Sequence, residues 1–295
     1  MHFDAYVALA GLIVGFAVGM TGMGGGALMT PVLVLLFKVQ PLAAVSSDLV
    51  ASLVMKPFGA AVHVRSHTVR WPLVGWLVLG SVPAAFLGVV FLRVLGRGHA
   101  VQNVVSLALG SVALLAVLAM ALKARLDRRL AGPAGDAEPP LEVKPLRTLA
   151  IGAVTGFIVG ITSVGSGTLV IACLLFLYPR LRGSQLVGTD LSQAVPMVGS
   201  AAVAHILYGD FQIALTLSIL AGSIPGVLLG SSLSARSSTP VVRSALAVVL
   251  LVSGLKLVNV PTVAIGVVLA AAVAAVLAAA AHRRSATTRM AAATT

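Results

Sequence analysis

The sequence predicts an all-α polytopic membrane protein made of two inverted repeats. Each repeat is predicted to hold a glycine-broken re-entrant helical hairpin and three transmembrane helices, and an extra helix follows at the C-terminus. Of the 295 residues, 59% are hydrophobic and only 9% are charged, whereas soluble domains average about 25% charged residues. Apolar segments of about 20 residues, long enough to cross a bilayer, recur along the chain. A glycine-rich apolar stretch also occurs once in each half.

The first glycine-rich stretch predicts the broken hairpin at 5–37. Gly11, Gly15 and Gly19 recur every four residues, which places them on one helical face where a neighbouring helix can pack closely. The glycines at 24–26 then interrupt the helix, because glycine weakens a helix interior. Each piece of this segment is short for a membrane crossing.

The second half of the chain repeats the spacing of the first. Gly152 lies 141 residues after Gly11, and after one inserted residue Asp190 lies 142 residues after Asp48. So many matches at fixed spacing indicate two repeats. The further matching pairs are Gly15 and Gly156, Gly19 and Gly160, Gly24 and Gly165, Gly26 and Gly167, His63 and His205, and Pro83 and Pro225.

The remaining apolar segments are predicted to cross the membrane completely. The crossings are 42–62, 71–93, 100–122, 184–207, 211–234 and 240–258, with the extra helix at 261–281, and the second broken hairpin is 147–178. The chain therefore divides into a first repeat at 1–123, a linker at 124–146, a second repeat at 147–258, the extra helix region at 259–282 and a polar tail at 283–295.

Lys and Arg placement predicts how these segments thread the membrane. If each broken segment enters and leaves on one side, most basic loop residues lie on the side of the linker. If each crosses once, the two sides share these residues about equally. The positive-inside rule therefore favours hairpins, with the linker and C-terminus cytoplasmic. Each half then crosses three times, so the two repeats are inverted, as in many transporters.

The net charge of +12 does not indicate nucleic-acid binding, because the basic residues lie in loops and tails without interleaved aromatic residues. Nothing in the sequence predicts a metal site, a cofactor or a set of catalytic residues. The N-terminus has no basic region of the kind that opens a cleaved signal peptide. The sequence does not indicate the oligomeric state.

The two hairpin tips form the predicted substrate site. A glycine-rich bend that leads into a helix N-terminus presents backbone N–H groups and a positive dipole end to an oxyanion. Backbone at membrane depth must line a cavity or lie buried in protein. The predicted substrate-binding residues are Gly24, Gly25, Gly26, Ser163, Gly165, Ser166, Gly167, Thr168, Lys56 and Gln193.

Two intramembrane carboxylates, Asp48 and Asp190, are predicted to couple or gate transport, since buried carboxylates in membranes are costly. The sequence equally allows a structural role in which they cap backbone N–H groups or tie the adjacent hairpin. Lys56 either attracts an anion in the cavity or extends to the lipid headgroups. His63 and His205 end corresponding helices, and capping at the membrane interface is the expected role.

The stretches GMTGMGGGALMTP, GTDL, HILYGDF and LAGSIPGVLLG resemble the TauE/SafE sulfite exporter family of anion permeases. The resemblance covers about residues 10–258 and implies a prokaryotic plasma-membrane carrier for anions such as sulfite, sulfonates or thiosulfate. Its expected partners are a small anion, membrane lipid and protons as a coupling ion. An anion channel and an integral-membrane enzyme are the alternatives. The second tip has GSG where the first has GGG, which departs from an exact repeat.

Overall fold

The structure is a computed structural model that contains helices and, in the part of the chain that it describes, no strands. The described residues are 4–21, 25–96, 98–129, 142–208, 211–234, 240–268 and 270–271. The polar tail and most of the predicted linker and extra helix lie outside them, although residues 262–268 of that extra helix are helical.

Ten helices precede this segment in the described residues, and their order matches the predicted segments. The first repeat contains α1 at Ala5–Thr21, α2 at Gly26–Leu35, α3 at Pro41–Arg65, α4 at Trp71–Val94 and α5 at His99–Arg129. The second contains α6 at Pro145–Thr162, α7 at Leu169–Leu177, α8 at Gly183–Tyr208, α9 at Ile213–Ser234 and α10 at Pro240–Leu257.

Six of these helices are long and apolar enough to cross a membrane, judged by length and composition: α3, α4, α5, α6, α8 and α9. A multi-pass membrane protein is therefore confirmed. The sequence did not predict α6 as a crossing helix, yet its 18 residues reach the required length. α10, at Pro240–Leu257, has 18 residues, and its bounds agree with the predicted crossing at 240–258.

The two halves pack against each other reciprocally. The first helix of each repeat lies against the fourth helix of the other, so that α1 packs on α9 and α6 packs on α4. A Cβ added to Gly15 would lie 2.8 Å from Cα of Ser223, and one added to Gly156 would lie 2.6 Å from Cα of Ser81. Both pairs occupy equivalent positions of the repeat, so the predicted close packing is confirmed in both halves.

The central helices α3 and α8 also contact each other and carry many of the buried polar residues, among them Asp48, Lys56, Asp190 and Gln193. The buried apolar side chains of α2, α3, α5 and α8 form one large cluster that includes Leu33, Leu49, Leu109 and Met197. This packing places both interrupted hairpins beside α3, where the candidate site is found.

Candidate functional site

The tips of the two hairpins are in direct contact. Gly26 begins α2 and lies against Ser163, which follows α6. A Cβ added to Gly26 would overlap the carbonyl oxygen of Ser163 and would lie 2.6 Å from its hydroxyl oxygen. The bends that the sequence predicted from a repeated glycine pattern are therefore brought together by the fold.

The second tip, residues 163–168, contains a buried run of backbone donors without acceptors. Gly165 and Gly167 have φ angles of +119° and +97°. Residues other than glycine rarely adopt this backbone conformation. The N–H groups of residues 165–168 donate to no acceptor among the described residues. Unpaired buried N–H groups are rare in native proteins, and consecutive backbone N–H groups in such a bend form a concavity that suits an anionic acceptor.

Thr168 adds a side-chain donor to the same tip. It is the residue before α7 and is only 6% exposed. Its hydroxyl does not cap the helix and has no hydrogen-bond partner among the described residues. A buried hydroxyl without a partner carries a desolvation penalty, which a ligand oxygen would remove.

The first tip shows the same pattern at the start of α2. Gly25 and Gly26 are buried, and the N–H groups of Gly25, Gly26 and Ala27 have no acceptor in the described structure. A helix N-terminus presents such backbone donors together with the positive end of the helix dipole. The predicted site residue Gly24 lies outside the described residues.

Asp48 of α3 joins the two hairpins. Its Oδ2 accepts a hydrogen bond from the hydroxyl of Ser163 at 2.7 Å and another from the hydroxyl of Thr30 at 2.9 Å. Ser163 belongs to the second tip and Thr30 to α2 of the first hairpin. The carboxylate, which is almost completely buried, therefore ties both hairpins to α3.

Lys56, two turns further along α3, also reaches the second tip. Its side chain is only 7% exposed, and its Nζ donates a hydrogen bond to the hydroxyl of Ser166. The ammonium lies within electrostatic range of the carboxylates of Asp48 and Asp190. The sequence allowed Lys56 either to face the cavity or to extend to the lipid headgroups. The structure places its side chain inside the protein.

A cavity of about 170 Å³ runs along α3 beside the first tip. Gly25 and Lys56 line it, so it connects residues that the sequence assigned to the site. Ser52 also lines it, is only 3% exposed, and has no hydrogen-bond partner among the described residues. The hydroxyl of Ser52 and the ammonium of Lys56 are one helical turn apart, so both donors belong to the same face of α3.

Asp190 and Gln193 of α8 form a separate buried network. The amide nitrogen of Gln193 donates to Oδ1 of Asp190 at 3.1 Å, and its amide oxygen accepts from the hydroxyl of Ser81 at 3.2 Å. The sequence predicted Gln193 as a substrate-binding residue. It is not among the residues that line the cavity beside Lys56.

The expectation that His205 caps a helix at the membrane interface is wrong. Its side chain is 0% exposed, and its Nε2 donates to the carbonyl oxygen of Gly160 at 2.8 Å. Its Nδ1 lies 2.8 Å from the hydroxyl of Ser46 on α3. His205 therefore joins α8 to α3 and to the end of α6. The equivalent His63 is partly exposed and lines the far end of the cavity.

Comparison with known proteins identifies the chain's relatives. The model of the family described as sulfite exporter TauE/SafE matches residues 7–257. The chain belongs to the TauE/SafE sulfite exporter family. It is therefore a membrane transporter, as the resemblance of its glycine-rich motifs implied. The match includes both hairpins and all of α3 and α8.

Two proteins with similar sequences come from Bacillus subtilis (strain 168). The probable membrane transporter protein YjnA is 41% identical over 253 residues, which are 85% of this chain and 98% of that protein. The probable membrane transporter protein YunE is 24% identical over 278 residues, which are 88% of this chain and 98% of that protein. No solved structure matches the chain.

For a TauE/SafE transporter, this arrangement offers donors without acceptors in the core. The described donors come from two helix N-termini, from the hydroxyls of Ser52 and Thr168, and from the ammonium of Lys56. The sequence analysis did not assign Ser52 to the site, and it also missed Thr30 and Ser81. Spacing alone could not find Thr30 and Ser81, because their partners lie on other helices.

Proposed function

We propose that this protein is a carrier that moves sulfur-containing anions, of the sulfite, sulfonate or thiosulfate class, by alternating access. The observation that carries the proposal is the run of buried N–H groups at residues 165–168 and 25–27, none of which has an acceptor in the described structure. Preorganised donors of this kind bind an oxyanion without the loss of any existing hydrogen bond. The family name and the relatives' names support transport as the activity.

The anion is proposed to bind near the middle of the membrane, between the tips at 24–26 and 165–168. The tips contact α3 between Asp48 and Lys56. At 1.5 Å per residue, Asp48 lies about 10 Å from the start of α3 at Pro41, and Lys56 lies about 13 Å from its end at Arg65. The contacts are therefore at interior depth along this helix, and the Lys56 ammonium supplies the positive charge.

The reciprocal packing of α1 on α9 and of α6 on α4 supports two repeats related by inversion in the plasma membrane. In this arrangement both glycine-broken segments are re-entrant hairpins, and the linker and the C-terminus are cytoplasmic. Inverted repeats exchange conformations when one half moves against the other, which exposes a central site to each side in turn.

Proton coupling follows from the charges around the site. With Asp48, Asp190 and Lys56 all ionised, the buried groups carry a net negative charge before any anion binds. An added anion would raise the electrostatic energy in a medium of low dielectric constant. We therefore propose that one of the two carboxylates takes up a proton when the anion binds.

Counterflow in proteoliposomes tests the proposal. Purified protein is reconstituted, the vesicles are preloaded with sulfite, thiosulfate or ethanesulfonate, and uptake of the same labelled anion is measured. A carrier gives saturable uptake that is accelerated by the internal anion. Uptake without such acceleration would indicate the alternative, an anion channel. The absence of uptake for all three anions would contradict anion transport.

A further inference from the structure

The cavity beside Lys56 has one polar end and an apolar body. Ser52 and Lys56 line the cavity one helical turn apart on α3, and Gly25 of the first tip lines it as well. The lining then continues along the same helix past Met55 and Gly59 to His63. From Ser52 to His63 the distance along the helix axis is roughly 16 Å, so the cavity is longer than an inorganic oxyanion.

The lining beyond Lys56 offers little to a hydrated inorganic ion. Met55, Leu191 and Val227 contribute only apolar surface to the cavity. A buried water needs two to four polar partners, and between Lys56 and His63 the described lining supplies none from side chains. The cavity is open on one side, because Phe58, Val62 and Leu228 of its lining are more than half exposed. A sulfite or thiosulfate ion at the Lys56 end would leave this apolar volume to a bilayer acyl chain.

The volume suits a short hydrocarbon chain. The cavity measures about 170 Å³, and an apolar cavity of about 150 Å³ in another protein binds benzene. Gly59 contributes to this room, because a Cβ there would make only ordinary contacts of 3.6 Å and 3.8 Å with the two methyl carbons of Leu191. The absent side chain thus leaves space at the centre of the lining.

We propose that the transported anion is amphipathic: an acidic head group binds Ser52 and Lys56, and a short apolar chain lies along Gly59 and Leu191. This inference rests on the proposed function and narrows its substrate class from sulfite, thiosulfate and sulfonates to organic anions with a hydrocarbon chain. The unpartnered hydroxyl of Ser52 and the Lys56 ammonium recognise the head group. The length of the apolar lining selects the chain.

A series of alkanesulfonates from one to four carbons tests this proposal, since the head group stays constant while the chain grows. Each unlabelled member competes for counterflow of labelled propanesulfonate in proteoliposomes. Burial of one methylene group strengthens binding about fourfold, so apparent affinity is expected to rise about fourfold for each added carbon. Sulfite and thiosulfate are expected to compete weakly.

A matched pair of glycine variants tests where the hydrocarbon chain of the substrate lies. Gly59→Ala adds a methyl group to the cavity without backbone strain and is expected to weaken butanesulfonate more than methanesulfonate. Gly75→Ala is the control, because Gly75 is exposed on α4 and a Cβ there meets nothing within 4 Å. An unchanged chain-length series in Gly59→Ala would overturn the placement of the chain.

The outcomes separate this inference from the proposed function. If sulfite or thiosulfate exchanges as well as propanesulfonate and the series shows no dependence on chain length, the amphipathic substrate is excluded while anion transport stands. A bilayer acyl chain that occupies the cavity would give this same flat series. If no anion of either kind exchanges, the proposed function itself fails.

Discussion

Gly26, the first residue of α2, packs against Ser163 so closely that a Cβ on the glycine would overlap the serine carbonyl oxygen. The two residues belong to different halves of the chain and to different hairpins. The hydroxyl of the same serine donates to Asp48, so one residue contacts the first hairpin through its backbone and α3 through its side chain. The position of each tip therefore depends on the other.

Replacement of Gly26 by alanine is expected to force the tips apart. The neighbouring atom is backbone, which cannot turn away, so overpacking of about 1–3 kcal/mol is expected, together with loss of counterflow. Gly25→Ala is the matched control for stability only: a Cβ there meets nothing within 4 Å, and φ is −57°. Thermal unfolding in detergent should show a lower Tm for Gly26→Ala only. Equal Tm values for the two variants would contradict the contact.

The sequence predicted the helices and the two glycine-rich helix interruptions because their signals are local: apolar length, glycine spacing and a repeat at fixed offset. It did not predict which atoms meet at the tips. Lys56 had two possible directions, and the choice depends on Ser166, 110 residues away. His205 ends a helical pattern, yet Ser46 and Gly160 from other helices cover it. Such contacts depend on how helices pack, which composition and spacing do not specify.

Lys56→Gln is expected to weaken anion binding about 10- to 100-fold, because it removes a charged hydrogen-bond donor worth about 1.5–3 kcal/mol. Glutamine retains an amide donor for Ser166. Lys256→Gln, on an exposed position of α10, is the control for removal of a positive charge. Concentration dependence of counterflow measures both. Equal affinity of the wild type and Lys56→Gln for the anion would show that the Lys56 ammonium does not bind it.

Asp48→Asn and Asp190→Asn test the proposed proton. The wild-type protein is expected to transport its anion faster when a pH gradient is imposed across the vesicle membrane. Asparagine keeps an oxygen acceptor for Ser163 and Thr30 but cannot take up a proton. One of the two variants is therefore expected to lose the dependence on the gradient while it retains counterflow. A wild-type rate that is unchanged by the gradient would rule out proton coupling.

His205→Ala is expected to destabilise the fold by on the order of 3 kcal/mol, since it leaves a cavity and an unpaired carbonyl oxygen on Gly160. His205→Gln retains part of the side-chain volume and an amide donor. Its Tm is therefore expected to lie between those of His205→Ala and the wild type. His99→Ala, at an exposed position, is the control. Thermal unfolding distinguishes the three variants. An unchanged Tm for His205→Ala would show that the buried contacts with Ser46 and Gly160 contribute little.

Labelling of single cysteines tests the proposed threading, in a Cys173→Ala background because Cys173 is the one native cysteine. Gln40→Cys and Ser66→Cys lie at opposite ends of α3, whereas Glu142→Cys and Arg180→Cys flank the second hairpin; all four positions are exposed. A membrane-impermeant maleimide applied to intact cells is expected to label only Gln40→Cys, and the other three only after permeabilisation. The decisive pair flanks the hairpin, because a re-entrant segment returns to the side from which it started. Opposite labelling of Glu142→Cys and Arg180→Cys would mean that this segment crosses once, and the inverted arrangement would then be lost.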